Sequence, residues 1–106
     1  MFFKILQIQI TKWAGKTFPQ QTSYSKMEHM KKEVEELQHE LALANRSREM
    51  ILEETADIVI LFLNYLVLER ISFYRLYKSC KMKMKKNKAR KWSKPDKLGV
   101  YHHIND

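Results

Sequence analysis

Apolar residues recur along most of this chain at helical spacing. From residue 27 they fall at Met27, Met30, Val34, Leu37, Leu41 and Ala44, in alternating steps of three and four. That spacing makes a narrow seam on one side of a helix, of the kind that packs against another helix. Thr22 or Ser23 is the expected N-cap, and Asn45-Arg46-Ser47 the break at its far end. A helix over about 48–69 follows, apolar almost all round beyond its first two turns, which makes it the most buried element expected. Ser72 suits the N-cap of a final helix reaching about Arg90, and Pro95 and Gly99 predict an irregular tail over about 92–106. The start of the chain is less decided. Leu6, Ile8 and Ile10 alternate with Gln7 and Gln9 as in a strand, while Leu6, Ile10 and Trp13 share one helix face. With no second strand in the sequence to pair with, residues 2–14 are expected to form a helix, and Gly15 to Ser23 a loop.

The expected fold is therefore all-α: a helical bundle of four main helices in one domain spanning 1–106. Two Gly and two Pro leave little room for the tight turns of a β fold. A helical chain of 106 residues buries only part of its surface, so self-association, as a homodimer or homotetramer completing the core, is expected from size. The apolar run 56–68 is too short to cross a bilayer and contains Asp57 and Asn64. The first ten residues hold Lys4, Gln7 and Gln9 and precede no small-residue cleavage site, and Cys80 is the single cysteine. All of this points to a cytoplasmic protein without a membrane partner.

Two acidic pairs stand out against this background. Glu33 and Glu36, and Glu54 and Asp57, are each three residues apart, on one side of a helical turn. Two such helices packed together could aim four carboxylates at one point. For the first pair a plain surface role competes, because Lys31 and Lys32 stand four residues before Glu35 and Glu36. Asp57 resists that reading, since it opens an apolar run and is expected beside the core, where an unpaired charge is costly. Carboxylates 5–6 Å apart repel by about 3 kcal/mol per pair at an effective dielectric near 20, so such a cluster needs protons or cations. Oxygen donors without Cys, and with His29 and His39 poorly spaced for ligation, favour Mg²⁺ or Mn²⁺ over Zn²⁺, and Mg²⁺ on a few carboxylates implies a phosphate-bearing substrate.

The net charge of +8 is concentrated late in the chain, where Lys78, Lys81, Lys83, Lys85, Lys86, Lys88, Arg90 and Lys91 follow one another with no acid between them. Three readings stay open on composition: a solvated cationic face, a nucleic-acid-binding surface with Trp92 stacking on a base, or a phosphate clamp. A small basic helical nucleic-acid-binding protein without catalysis is the alternative function. It has no use for the acidic pairs.

Lys32 to Leu37 followed by Glu53-Glu54-x-x-Asp57 at the head of an apolar helix resembles the ExxE…ExxD signature of the MazG-like all-α NTP pyrophosphatases. Leu6 to Phe18, Met27 to Met30, and above all Asn87 to Pro95, Asp96-x-x-Gly99-Val100 and His103-Ile104 are similar to the phage dATP/dGTP diphosphohydrolase (MazZ-like) branch. The resemblance implies a MazG-like bundle that hydrolyses a nucleoside triphosphate, dATP or dGTP, to the monophosphate and pyrophosphate in the bacterial cytoplasm. It implies Glu33, Glu36, Glu54 and Asp57 as ligands of Mg²⁺, with Mn²⁺ as substitute, Glu36 as general base, and Lys83, Asn87 and Arg90 on the triphosphate. Phe18 and Trp92 are the base contacts expected, with Trp13 a further aromatic candidate. Asn64 stands where the branch often has Asp, and Glu69-Arg70-Ile71 stands where the family's last loop commonly has Gly. Neither His29 nor the C-terminal histidines have an evident partner.

Overall fold

A computed structural model describes residues 1–104. Among them, four helices run over Phe2–Thr17 (α1), Ser23–Ala42 (α2), Arg48–Leu68 (α3) and Phe73–Ala89 (α4), followed by two short strands, Lys91–Trp92 (β1) and His103–Ile104 (β2). The all-α expectation holds. The described chain divides into two compact units, Met1–Ile71 and a second beginning at Ser72.

In the first unit α1 and α2 both pack on α3. α1 extends past Gly15, which the sequence reading had assigned to the loop. Its end is set instead by Pro19: the residue before a proline is pushed out of the α region, and Phe18 leaves the helix at φ −127°, ψ 68° while its N–H still reaches Ala14 O. The buried face of α1 is Gln7, Ile10 and Ala14, not the Leu6, Ile10, Trp13 face expected. Gln7 is tolerated there because its Nε2 donates to Leu63 O at 2.9 Å, satisfying a polar group inside the core. Trp13 is left 54% exposed.

Thr22 caps α2 through a capping box, accepting from Ser25 N at 3.0 Å while Ser25 Oγ accepts from Thr22 N at 2.9 Å. The turn between α2 and α3 is held by Glu40 Oε2, which accepts from Ser47 N at 3.1 Å, and Ser47 Oγ in turn accepts from Met50 N. The apolar core is small: Ile10 and Ala14 from α1, Leu61, Leu63 and Leu66 from α3. As expected, α3 supplies most of it. No helix among the described residues is long and apolar enough to cross a membrane.

The second unit opens with Ser72, whose Oγ accepts from Arg75 N to cap α4. The tail that follows is more ordered than its Pro and Gly suggested. β1 and β2 pair antiparallel with Lys91 opposite Ile104 and Trp92 opposite His103. Asp96 builds the loop between them: its Oδ1 accepts from Leu98 N and Val100 N, both at 2.9 Å, and its Oδ2 meets His102 Nε2 at 2.9 Å. Gly99 sits at φ +83°, a conformation an L side chain resists.

Candidate metal and nucleotide site

Glu33 and Glu36 leave α2 one turn apart, and Glu54 leaves α3 in its second turn, where the two helices pack. One oxygen from each of the three lies within 4.8 Å of the other two. Lys31, which the surface reading paired with Glu35, instead meets Glu28 at 3.5 Å. Glu33 and Glu54 are half-buried and Glu36 is exposed. Glu33 Oε2 and Glu54 Oε2 are buried without a hydrogen-bond donor. A buried carboxylate oxygen ordinarily has a donor, because leaving one without costs about 1–3 kcal/mol or more. Two such oxygens beside a third carboxylate fit a divalent cation, which takes oxygen donors and cancels their repulsion.

Electrostatics point the same way. Burial, then the hydrogen bonding and charge of Glu36, then the charges of Asp57 and Glu54 push the Glu33 carboxyl up to about 7. The Glu54 carboxyl is also raised, by burial first and then by Glu36 and Asp57. His29 Nε2 lies 3.4 Å from Glu33 Oε1, so His29 does have a partner.

Asp57 is corrected in one respect. It was expected beside the core, yet it is exposed, and its oxygens are not among the three that converge. The apolar residues Ile58 to Ile60 after it are only half-buried, and the first buried residue of α3 is Leu61, one turn later. Its charge still acts on Glu33 and Glu54.

Next to Glu33 and Asp57 opens a pocket of about 350 Å³ inside the first unit. Ile10, Trp13 and Ala14 of α1, Phe18 of the loop, and Ile60 and Leu61 of α3 give it apolar walls, with the Trp13 and Phe18 rings edge to face at 5.3 Å. Asn64 lies at its base, 2% exposed, with Nδ2 donating to Gln21 Oε1 at 2.6 Å. The sequence reading missed Lys26, which also lines this pocket and is only 4% exposed. One signal was available: Lys26 precedes Glu33 by seven residues, two turns up the same helix face.

In the second unit Lys83 is exposed on α4, while Asn87 and Arg90 are half-buried near its end. Asn87 Oδ1 accepts from Arg90 Nη1 at 3.3 Å. Trp92 donates its indole N–H to Asn87 O at 2.9 Å and stands edge-on to His103, with ring centroids 5.9 Å apart. Trp92 is thus built into the turn from α4 to the hairpin.

Comparison with known proteins agrees with this architecture. A cyanophage S-2L MazG-like pyrophosphohydrolase, solved with dGDP and three catalytic Mn²⁺ ions per active site, superposes with a TM-score of 0.71. The two share 23% identity over 98% of this chain and 94% of the other. No curated protein matches the chain. The family model of the dATP/dGTP pyrophosphohydrolases matches residues 6–106, both acidic pairs and the whole hairpin included. The chain therefore belongs to the dATP/dGTP pyrophosphohydrolase family, on a MazG-like all-α fold.

Proposed function

We propose that the protein hydrolyses purine deoxynucleoside triphosphates, dATP and dGTP, to the monophosphate and pyrophosphate with Mg²⁺, Mn²⁺ serving as substitute. The observation that carries this reading is the convergence of Glu33, Glu36 and Glu54, two of them with buried oxygens lacking a donor, with Glu33 also lining an apolar pocket. The Mn²⁺ and nucleotide of the cyanophage enzyme support the same chemistry. As a member of this family the protein is taken to be phage-encoded and to act in the bacterial cytoplasm.

Glu33, Glu36, Glu54 and Asp57 would hold the cation. When bound, it would neutralise charge on the α-phosphate and lower the pKa of a coordinated water. Glu36, the exposed one of the three converging carboxylates, is the candidate to take the proton of the water that attacks the α-phosphate. Glu33 and Glu54 would each offer the cation a buried oxygen that has no other partner. Lys83, Asn87 and Arg90 are assigned to the triphosphate on sequence resemblance; a point charge, an amide and a bidentate fork suit phosphoryl oxygens. Phe18, whose ring lines the pocket, is the favoured base contact, with Trp13 beside it. Trp92 has its polar edge committed to Asn87 and is the weaker of the two proposed base contacts.

The test is a panel of (d)NTPs with Mg²⁺ or Mn²⁺, with products separated to tell monophosphate plus pyrophosphate from diphosphate plus phosphate. Glu54→Gln and Asp57→Asn should lower turnover by at least about 100-fold, as loss of a preorganised charge does in other active sites, with folding intact by circular dichroism. Undiminished turnover in either variant would overturn the metal assignment. A wild-type protein inert toward the whole panel would return the basic stretch to the nucleic-acid reading.

A further inference from the structure

Lys26 is costly where it stands. It is 4% exposed, in the first turn of α2, where the positive end of the helix dipole disfavours a cation. Desolvation lowers its pKa. No carboxylate meets its ammonium among the described residues; what lies against it is the Phe18 ring, with Nζ 4.7 Å from the centroid. A lysine that only packed its stem would carry its charge out to solvent. This one lines the largely apolar pocket instead.

Of the other polar groups of that pocket, Gln9 is an exposed, uncharged amide on α1, and the rest are engaged. Glu33 and Asp57 belong to the acidic cluster, His29 pairs with Glu33 at 3.4 Å, and Asn64 is tied to Gln21 at 2.6 Å. Lys26 is thus the pocket's available cationic donor. It precedes Glu33 by seven residues, roughly 10 Å along the helix axis. That separation is comparable to the reach from the phosphates of a nucleotide to the far edge of its purine. Were the phosphates held at the acidic cluster and the base in the pocket that Phe18 and Lys26 both line, the Lys26 ammonium would stand within reach of the base edge.

The two purines differ at that edge. Guanine offers two acceptors, O6 and N7; adenine offers N7 but turns an amino group toward the donor. Resting on the pyrophosphohydrolase reading, we infer that Lys26 is a specificity-determining residue of this pocket: its ammonium donates to the O6–N7 edge of a 6-oxopurine, so guanine nucleotides are taken in preference to adenine nucleotides.

The experiment compares kcat/KM for dGTP, dITP and dATP in wild type, Lys26→Met and Lys26→Arg. dITP keeps O6 and N7 but lacks the 2-amino group. Wild type should favour dGTP and dITP over dATP. Lys26→Met should lower kcat/KM for dGTP and dITP by roughly 10- to 100-fold and change dATP by less than about threefold, because it removes the donor and keeps the stem. Lys26→Arg should keep the wild-type order, and Lys26→Met should melt no lower than wild type. Calorimetric binding of dGMP and dAMP gives the same comparison without catalysis. Equal losses on all three substrates would make Lys26 a phosphate or packing residue and overturn the inference, as would no change on any. Wild type inert toward all three, and blind to dGMP over dAMP, overturns the hydrolase reading and this inference together; an active wild type with equal losses overturns only the base assignment.

Discussion

Glu33 sets the pH behaviour expected of the metal-free protein. Its carboxyl rises from 4.5 to about 7 on folding, so between those values the native state holds a proton that the unfolded chain has released. Stability therefore falls as pH rises from about 4.5 to about 7, and levels off above. Thermal melts in chelator should show this decline. Added Mn²⁺ should raise Tm most near and above pH 7, where the cluster is ionised and binding stabilises the native state by mass action. A melting temperature that climbs from pH 5 to 7 in chelator, or ignores Mn²⁺ at pH 7.5, would contradict the cation site. At the same scale, the acidic pairs were legible as pairs because i,i+3 spacing is a local property. Which of their oxygens are buried was not, because burial depends on how closely α2 and α3 approach.

At the level of elements, the boundaries follow caps that the sequence displays. Thr22, Ser47 and Ser72 each accept from the backbone N–H three residues on. The end of α3 is less usual. Ile71 N–H bonds Leu66 O at 2.8 Å and Arg70 N–H bonds Val67 O at 3.1 Å, the paired bonds of a Schellman motif, and Arg70 lies at φ 58°. A non-glycine residue there costs about 1 kcal/mol, so Arg70→Gly should stabilise the protein by roughly that much in urea titration, with activity unchanged. Destabilisation by the variant would show that the Arg70 side chain holds the turn. The hairpin has a comparable logic. Asp96, Gly99 and Val100, which carry much of the resemblance to the branch, close its loop through backbone bonds. Pairing of Trp92 with His103, eleven residues apart, had no local signature in a stretch containing Pro95 and Gly99.

For the whole molecule, the single chain leaves much apolar surface in water. Phe2, Phe3, Ile5 and Ile8 on α1 are 51–85% exposed, and the α2 seam shows Val34 at 46% and Leu41 at 43%. Surface of this kind on a small helical protein is usually covered by another copy. We expect the protein to sediment at a multiple of 12.8 kDa, as a homodimer or homotetramer, and Val34→Lys with Leu41→Lys to shift it toward the monomer. A wild-type monomer at micromolar concentration would remove oligomerisation as the means of completing the core.

Helix number, approximate boundaries, the central place of α3 and the acidic pairs can all be read from residue order, because periodicity, capping and i,i+3 spacing act within a few residues. The family followed from motifs of the same short range. Long-range packing settled the rest: that Gln7 rather than Leu6 is buried on α1, that Asp57 stays exposed while Glu33 and Glu54 lose their donors, and that Lys26 lines an apolar pocket. Each of these depends on which helix faces which and how closely. No local pattern encodes the desolvation that makes a carboxylate crave a cation, or a lysine an acceptor.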